Sequence, residues 1–431
     1  MRRITRRTIC VSAAVASATA LLAGGVGAYP LDGYPNSGIT RIEGFRLAQR
    51  NSGGKVLPPG GDLTTDKIVL SLQHKPNFQI PAPDPQLNQM LRDELGSDVG
   101  GYGVALLDVS DPDRPRYAEV NPDAMMNAGS VGKVLLALGM FQTLADIEPD
   151  IRKRRDMLKE TVVVTDEFIR TDSHEVPVFH IGGKKVRRRP IAEGEQMTLY
   201  TLLDHMMSPS SNAAASMVGR EAVLMKHFGS GYPKSHEASR AYLNSAGKGQ
   251  LSGELKAVLQ EPVGRNGLNR GKLRQGSLFT REGKKRLPGT SSYASARSLM
   301  EFLVAMEMGE LVDPWSSKEI KKLLYVTDRR IRYASSPALR NSAVYFKSGS
   351  LYKCRPERGH VCEKYHGNVW NFLASIAVVE EPERNPPMRY MVVVLSNVLR
   401  KNAAEEHERL GTRIQQMMQQ LHPLRTTQVA Q

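Results

Sequence analysis

The sequence predicts an α+β fold in which strands near both ends of the chain enclose a mainly helical middle. Two observations carry this. Short apolar runs bounded by Pro, Gly and Asp mark strands at "GYGVALLDV" and "RYAEV" early in the chain, and at "AVYFKSGSLY", "WNFLASIAVVE" and "RYMVVVLSNV" late in it. Between them, apolar residues recur at the three- and four-residue spacing of helices. No internal repeat is visible.

Residues 1–28 place four arginines ahead of a small, apolar stretch that ends in Val26-Gly27-Ala28, and read as a secretory signal cleaved after Ala28. An uncleaved membrane anchor is the other reading, disfavoured by a core of Ala, Gly and Ser rather than Leu. The mature chain is then periplasmic or otherwise exported. No later segment reads as long and apolar enough to span a bilayer. Cleavage removes four arginines and takes the net charge from +15 to about +11, which favours anionic surroundings such as an acidic cell-wall polymer or a membrane surface. Export, and the lack of a recognisable nucleic-acid-binding motif, argue against nucleic acid as a partner.

Residues 29–83 are rich in Gly, Pro and Asn and read as an N-terminal extension, packed on the domain edge or partly disordered, with one strand at "DKIVLSL". A domain over residues 84–424 follows, and residues 425–431 form a flexible tail. The domain opens with a helix at "PDPQLNQMLRDELG", then two strands joined by the turn "SDPDRP". After Ser130 the apolar positions Val134, Leu135, Leu138, Phe141 and Leu144 predict a helix, and its nearly continuous apolarity makes it central and buried. Helices follow at "MTLYTLLDHMM", "SNAAASMVGREAVLMKHF" and "SARSLMEFLVAMEMGEL", with a hairpin at "VPVFHIGGKKVRRRPI" turning on Gly182-Gly183. The closing helix carries Leu410, Ile414, Met417 and Leu421 on one face. Of three cysteines, Cys10 lies in the signal. In an exported chain Cys354 and Cys362 are expected to close a short disulfide loop around Pro356 and Gly359, two free thiols being the alternative.

The stretch "MMNAGSVGKVLLALGMF" puts Lys133 three residues after Ser130, so on a helix the two side chains share a face. A lysine buried there loses hydration, its pKa falls, and the neutral amine can take the serine's proton. Ser-x-x-Lys also occurs at Ser52, Ser245 and Ser350, but only the Ser130 copy opens a long apolar helix. Two further motifs follow in order: Ser210-Ser211-Asn212 between two helices, and Lys347-Ser348-Gly349 on a strand. Taken alone, Asn212 reads equally as a helix N-cap, Ser210 as a turn residue and Lys347 as a strand-edge lysine.

Together the three motifs resemble the penicillin-recognising serine hydrolases, the class A β-lactamases and the D,D-peptidases called penicillin-binding proteins. The likeness runs from about Pro83 to Leu424. It implies a β-lactamase/transpeptidase-like fold, an antiparallel sheet flanked by the terminal helices plus a mainly helical subdomain. It also implies catalytic roles for Ser130 as the acylated nucleophile, Lys133 as its base, Ser210 as proton donor to the leaving nitrogen and Lys347 as a source of positive potential. Asn212 would bind the substrate's amide side chain and Ser348 its carboxylate. The backbone N–H groups of Ser130 and Ser350 would form the oxyanion hole, with Gly349 letting a ligand backbone approach the strand. Repulsion between Lys133 and Lys347 would favour a neutral Lys133. The substrates implied are β-lactams or peptidoglycan stem peptides, with no cofactor.

The chain departs from the family in one place. Class A β-lactamases carry a glutamate for deacylation after the Ser-x-Asn motif, and of Glu221, Glu237, Glu254, Glu261 and Glu282 none has its spacing, Glu261 being the nearest. The acyl-enzyme should therefore persist, which suits a periplasmic peptidoglycan D,D-carboxypeptidase or endopeptidase. Against this, the compact motif spacing and the single catalytic domain with a closing helix look more like the class A β-lactamase branch. The expectation is therefore a class A-like serine hydrolase that forms an acyl-enzyme with β-lactams or D-Ala-D-Ala-type amides, the peptidase and a binding protein that keeps the cleft without turnover being the alternatives. His180-Ile-Gly182 and Tyr242-Leu-Asn244 resemble class C motifs in the wrong order. The basic run Lys184 to Pro190 reads as a solvated hairpin face or a contact for an anionic polymer. His174 and His180 lack a third ligand nearby, so no metal is expected.

Overall fold

The computed structural model describes residues 29–30, 58–61, 63, 67–179, 187–325, 330–381 and 387–423. The expected signal, most of the extension up to residue 66, the hairpin tip at Gly182-Gly183 and the tail lie outside the described residues.

Five antiparallel strands form the sheet: β1 (Tyr102–Asp108), β2 (Arg116–Val120), β3 (Ala343–Lys353), β4 (Trp370–Glu381) and β5 (Met388–Asn397), in the order β3-β4-β5-β1-β2. The two ends of the chain meet where β1 pairs with β5, Val104 opposite Val394. The period of two along each strand sends Val104 and Leu106 to one face and Ala105 and Leu107 to the other. Helices α1 (Pro85–Leu95) and α6 (Ala403–Leu421) cover the first face through Leu87, Leu91, Leu410 and Ile414. The helical half covers the second. Where both faces are buried, the strands are largely apolar, β1 throughout residues 102–107; β2 is broken by Arg116 and Glu119 and β3 by Lys347 and Ser348.

The helical half centres on α2 (Lys133–Ile147), buried from Lys133 through Leu144. With the turn before it, Gly129–Ile147 is long and apolar enough to cross a membrane, contrary to the expectation that no segment after the signal would be. Its apolarity serves burial in the core instead. Around it stand α3 (Leu199–Met207), α4 (Asn212–Phe228) and α5 (Ala296–Met308), with further helices at Ile151–Glu160, His236–Ser245, Lys248–Arg265, Arg281–Arg286 and Pro314–Leu324. The hairpin strands Val176–Phe179 and Arg187–Arg189 pair as expected, and Tyr29–Pro30 adds to their edge.

The expected strand at "DKIVLSL" does not form. Ile68, Leu70 and Leu72 are buried in alternation with an exposed Val69, but no strand lies beside them. Their polar partners come from helices: Leu72 N donates to Glu307 O, Ser71 N to the Glu307 carboxylate, and Lys321 Nζ to Val69 O.

Candidate active site

Ser130 sits in a 3₁₀ turn, Gly129–Gly132, that runs directly into α2, so its side chain stands at the mouth of the core helix. One turn on, Lys133 is fully buried, with Nζ 3.1 Å from Ser130 Oγ. The same nitrogen lies 2.7 Å from the Ser210 carbonyl oxygen, 2.7 Å from Asn212 Oδ1 and 3.3 Å from Ser210 Oγ. Its other neighbour is apolar, the Phe279 ring centred 4.8 Å away. Burial lowers the Lys133 pKa to about 7, against the pull of the Asp172 carboxylate toward the charged form. Desolvation is therefore the leading cause.

The turn between α3 and α4 delivers Ser210 and Asn212. Ser210 adopts φ +63°, a left-handed conformation uncommon outside glycine, and this turns both its carbonyl and its hydroxyl toward Lys133. The helix cap is Ser211 rather than Asn212: Ser211 Oγ accepts from Ala214 N–H over 3.1 Å. Asn212 is the first helical residue, and its amide faces α2. Asp172 fastens the turn, accepting from Ser211 Oγ at 3.0 Å and Ala213 N–H at 2.7 Å, with His174 Nδ1 at 2.5 Å. Burial would raise the Asp172 pKa, but the His174 ring and these donors outweigh it and hold the pKa at about 2.

The third segment is the edge strand β3. Lys347 Nζ donates to Ser210 Oγ at 2.7 Å. Gly349 makes room for the chain itself: a Cβ there would lie 2.2 Å from Ser130 N and 2.4 Å from Ala128 O. Gly129, at φ +52°, is its counterpart, since a Cβ there would lie 2.9 Å from Ser350 N. The two glycines bring the N–H groups of Ser130 and Ser350 to one seam.

The structure thus brings Ser130, Lys133, Ser210, Asn212, Lys347, Ser348, Gly349 and Ser350 together, and all but the buried Lys133 line one cleft of about 760 Å³. Four residues of the site carry no motif. Asp172 and Phe279 adjoin Lys133 and its turn. Arg332, at φ +54°, donates to Ser348 Oγ at 2.7 Å and Ser350 Oγ at 3.0 Å, and Tyr365 accepts from it at 3.2 Å. In sequence Arg332 is one of many arginines, and nothing distinguishes it. Arg188 of the basic run also lines the cleft, while His180, Lys184 and Lys185 lie outside the described residues.

The five glutamates considered for deacylation are engaged elsewhere. Glu221 accepts from Tyr232 and Arg220, Glu254 from Tyr242, and Glu282 pairs with Arg286; Glu237 and Glu261 are exposed. Among the described residues lining the cleft, Glu175 is the one carboxylate. Cys354 and Cys362 are joined as a disulfide, their Cα atoms 5.7 Å apart.

The solved structures similar in fold include a β-lactamase from Chitinophaga pinensis (14% identity, 78% of this chain and 99% of that one, TM-score 0.50). PBP-A is another (13%, 80% and 100%, TM-score 0.50), as is TLA-3 extended-spectrum β-lactamase (11%, 77% and 98%, TM-score 0.50). At these identities the likeness is one of fold, β-lactamase/transpeptidase-like. No curated protein matches the chain in sequence. The sequence profile described as the β-lactamase enzyme family matches residues 86–369, more than half of the chain, and the protein therefore belongs to that family.

Proposed function

We propose that the protein is an exported serine hydrolase whose Ser130 is acylated by β-lactams or by D-Ala-D-Ala-type amides. The bonding of Lys133 carries the reading. A neutral amine has two N–H donors and one lone pair. The Ser210 carbonyl oxygen and Asn212 Oδ1, both at 2.7 Å, can only accept. They occupy both donors and leave the lone pair for the hydroxyl of Ser130 at 3.1 Å.

The reaction then runs through these groups. Ser130 Oγ gives its proton to Lys133 Nζ as it attacks the carbonyl carbon. The N–H groups of Ser130 and Ser350 stabilise the charge that develops on the carbonyl oxygen. The C–N bond breaks with its electron pair on nitrogen, which takes a proton from Ser210 Oγ. Lys133, 3.3 Å away, replaces that proton, while Lys347 holds the hydroxyl in place. The Asn212 amide N–H₂ faces the substrate's side-chain amide. Arg332, with the hydroxyls of Ser348 and Ser350, receives the substrate carboxylate as a two-pronged donor.

One observation favours a D,D-peptidase over a β-lactamase within this reading. None of the five candidate glutamates after the Ser-x-Asn motif lines the cleft, where Glu175 is the one carboxylate among the described residues, so the deacylating glutamate of the class A pattern has no counterpart at its place in the chain. A basic chain, net +15, also suits a substrate embedded in an anionic wall. The test is intact-mass measurement over time after mixing with a fluorescent penicillin, for wild type and Ser130→Ala. A lasting adduct on the wild type alone is expected. Rapid ring opening without accumulation favours the β-lactamase form, and neither adduct nor hydrolysis rejects the enzyme.

A further inference from the structure

We propose that the disulfide-braced connection between β3 and β4, residues 354–369, selects substrates whose leaving group carries a second anionic group beyond the carboxylate assigned to Arg332. This rests on the acyl-transfer reading above.

The connection is braced along its length. Cys354 is joined to Cys362, and Asn368 bonds both the N–H and the carbonyl of Arg355 at 2.8 Å. His360 Nε2 lies 2.9 Å from His366 O, and Arg400 grips Glu357 through two bonds of 2.6 and 3.2 Å. Tyr365 O accepts from Ala403 N–H at the start of α6 over 3.2 Å. A surface connection with this many ties presents its side chains in fixed positions, which lowers the ordering cost of binding.

What it presents to the cleft is Lys364 and Tyr365, the latter at φ +65°. The Arg332 guanidinium stands 5.0 Å from the centre of the Tyr365 ring, and Lys364 Nζ stands 5.1 Å from it. Tyr352 meets the same ring edge-on at 5.7 Å. Arg332 is tied to the Ser348 and Ser350 hydroxyls, so it marks the carboxylate end of the cleft, and Lys364 lies one aromatic ring from it. The charge balance points the same way, since among the described residues Arg188, Arg332, Lys347 and Lys364 line the cleft with a single carboxylate, Glu175. A leaving group with one carboxylate at Arg332 and another reaching across Tyr365 to Lys364 uses both cations. The substrate class is an acyl-D-alanyl amide of an amino dicarboxylic acid.

The test is calorimetric binding of two acylated peptides, one ending D-Ala-D-Ala and one ending D-Ala-D-Glu, to the full chain carrying Ser130→Ala. The dicarboxylate peptide should bind about ten-fold more tightly, and salt should reduce the preference. Adding Lys364→Met should cut the preference to about two-fold or less, and Lys364→Arg should keep it. Equal affinities, no binding of either peptide, or a preference that survives Lys364→Met overturns the proposal. A double Cys354→Ser/Cys362→Ser variant with native circular dichroism should lose the preference too; its full retention overturns the role of the bracing. Because Ser130→Ala takes no acyl group, failure of penicillin to label the wild type would count against the catalytic reading alone.

Discussion

Asn212 holds its side-chain oxygen 2.7 Å from the Nζ of Lys133, a neutral acceptor against an amine whose pKa burial has lowered to about 7. With the free amine as the base proposed above, acylation of Ser130 should rise with pH through about 7 and level off above it. Asn212→Asp keeps the shape and adds a negative charge at that contact. It should favour the ammonium and move the midpoint up by about one to three pH units, so that the rate at neutral pH falls at least about five-fold and recovers in alkali. The check is the second-order rate of labelling by a fluorescent penicillin across the pH range for both proteins. A midpoint that stays put in the variant would remove Lys133 as the base.

Gly349→Ala tests the seam between β3 and the Ser130 turn. Its Cβ would fall 2.2 Å from Ser130 N, so strand or turn must shift. A stability loss of about 1–3 kcal/mol in urea unfolding is expected from overpacking. If the Ser130 N–H is the oxyanion donor proposed above, its displacement should also slow acylation by up to about 10²-fold. Lost stability with an unaltered acylation rate would mean that the seam serves packing only.

The frame of this site was legible because its three motifs are short and local, and because strands buried on both faces, such as Tyr102–Asp108, read as apolar runs. Ser130 and Lys133 share one turn, and Lys347 through Ser350 share one strand. Asp172, Phe279, Arg332 and Tyr365 were not legible, since each reaches the site only through tertiary placement, two of them at positive φ that no side chain advertises. The helix Lys248–Arg265 buries Leu251, Leu255, Val258, Leu259 and Val263 at helical spacing, but Gly249, Gly253 and Pro262 interrupt it with residues that read as breakers. "DKIVLSL" failed in the opposite sense. Its alternation is real, yet alternation reports a half-buried extended chain and not whether a second strand lies beside it.

Asp172 gives a stability prediction with a defined pH window. Its pKa is lowered from 3.8 to about 2 in the fold, so its ionised form contributes stability above about pH 4, and that contribution fades as pH falls toward 2. Asp172→Asn weakens the bonds from Ser211, Ala213 and His174, and should cost about 1–3 kcal/mol at neutral pH. Urea unfolding at pH 7 and at about pH 3 should show a gap between wild type and variant that narrows in acid. A gap that widens there would contradict the assignment.

Lys321 tests how the segment before the first helix is held. Its ammonium is fully buried, 2.7 Å from a Glu307 oxygen, 2.7 Å from Glu380 Oε1 and 2.7 Å from Val69 O. Burial alone would lower its pKa, but the two carboxylates more than offset that and raise it. Lys321→Met removes the cation and leaves two carboxylates in the core, a change that should cost about 3–5 kcal/mol. It also frees the Val69 carbonyl, so protease cleavage near residues 67–72 should quicken before the rest of the chain is cut. Adding Glu307→Gln and Glu380→Gln should restore part of the stability, because the residual cost lies in the stranded charges. A single variant within about 0.5 kcal/mol of wild type would show that the triad does not hold the segment.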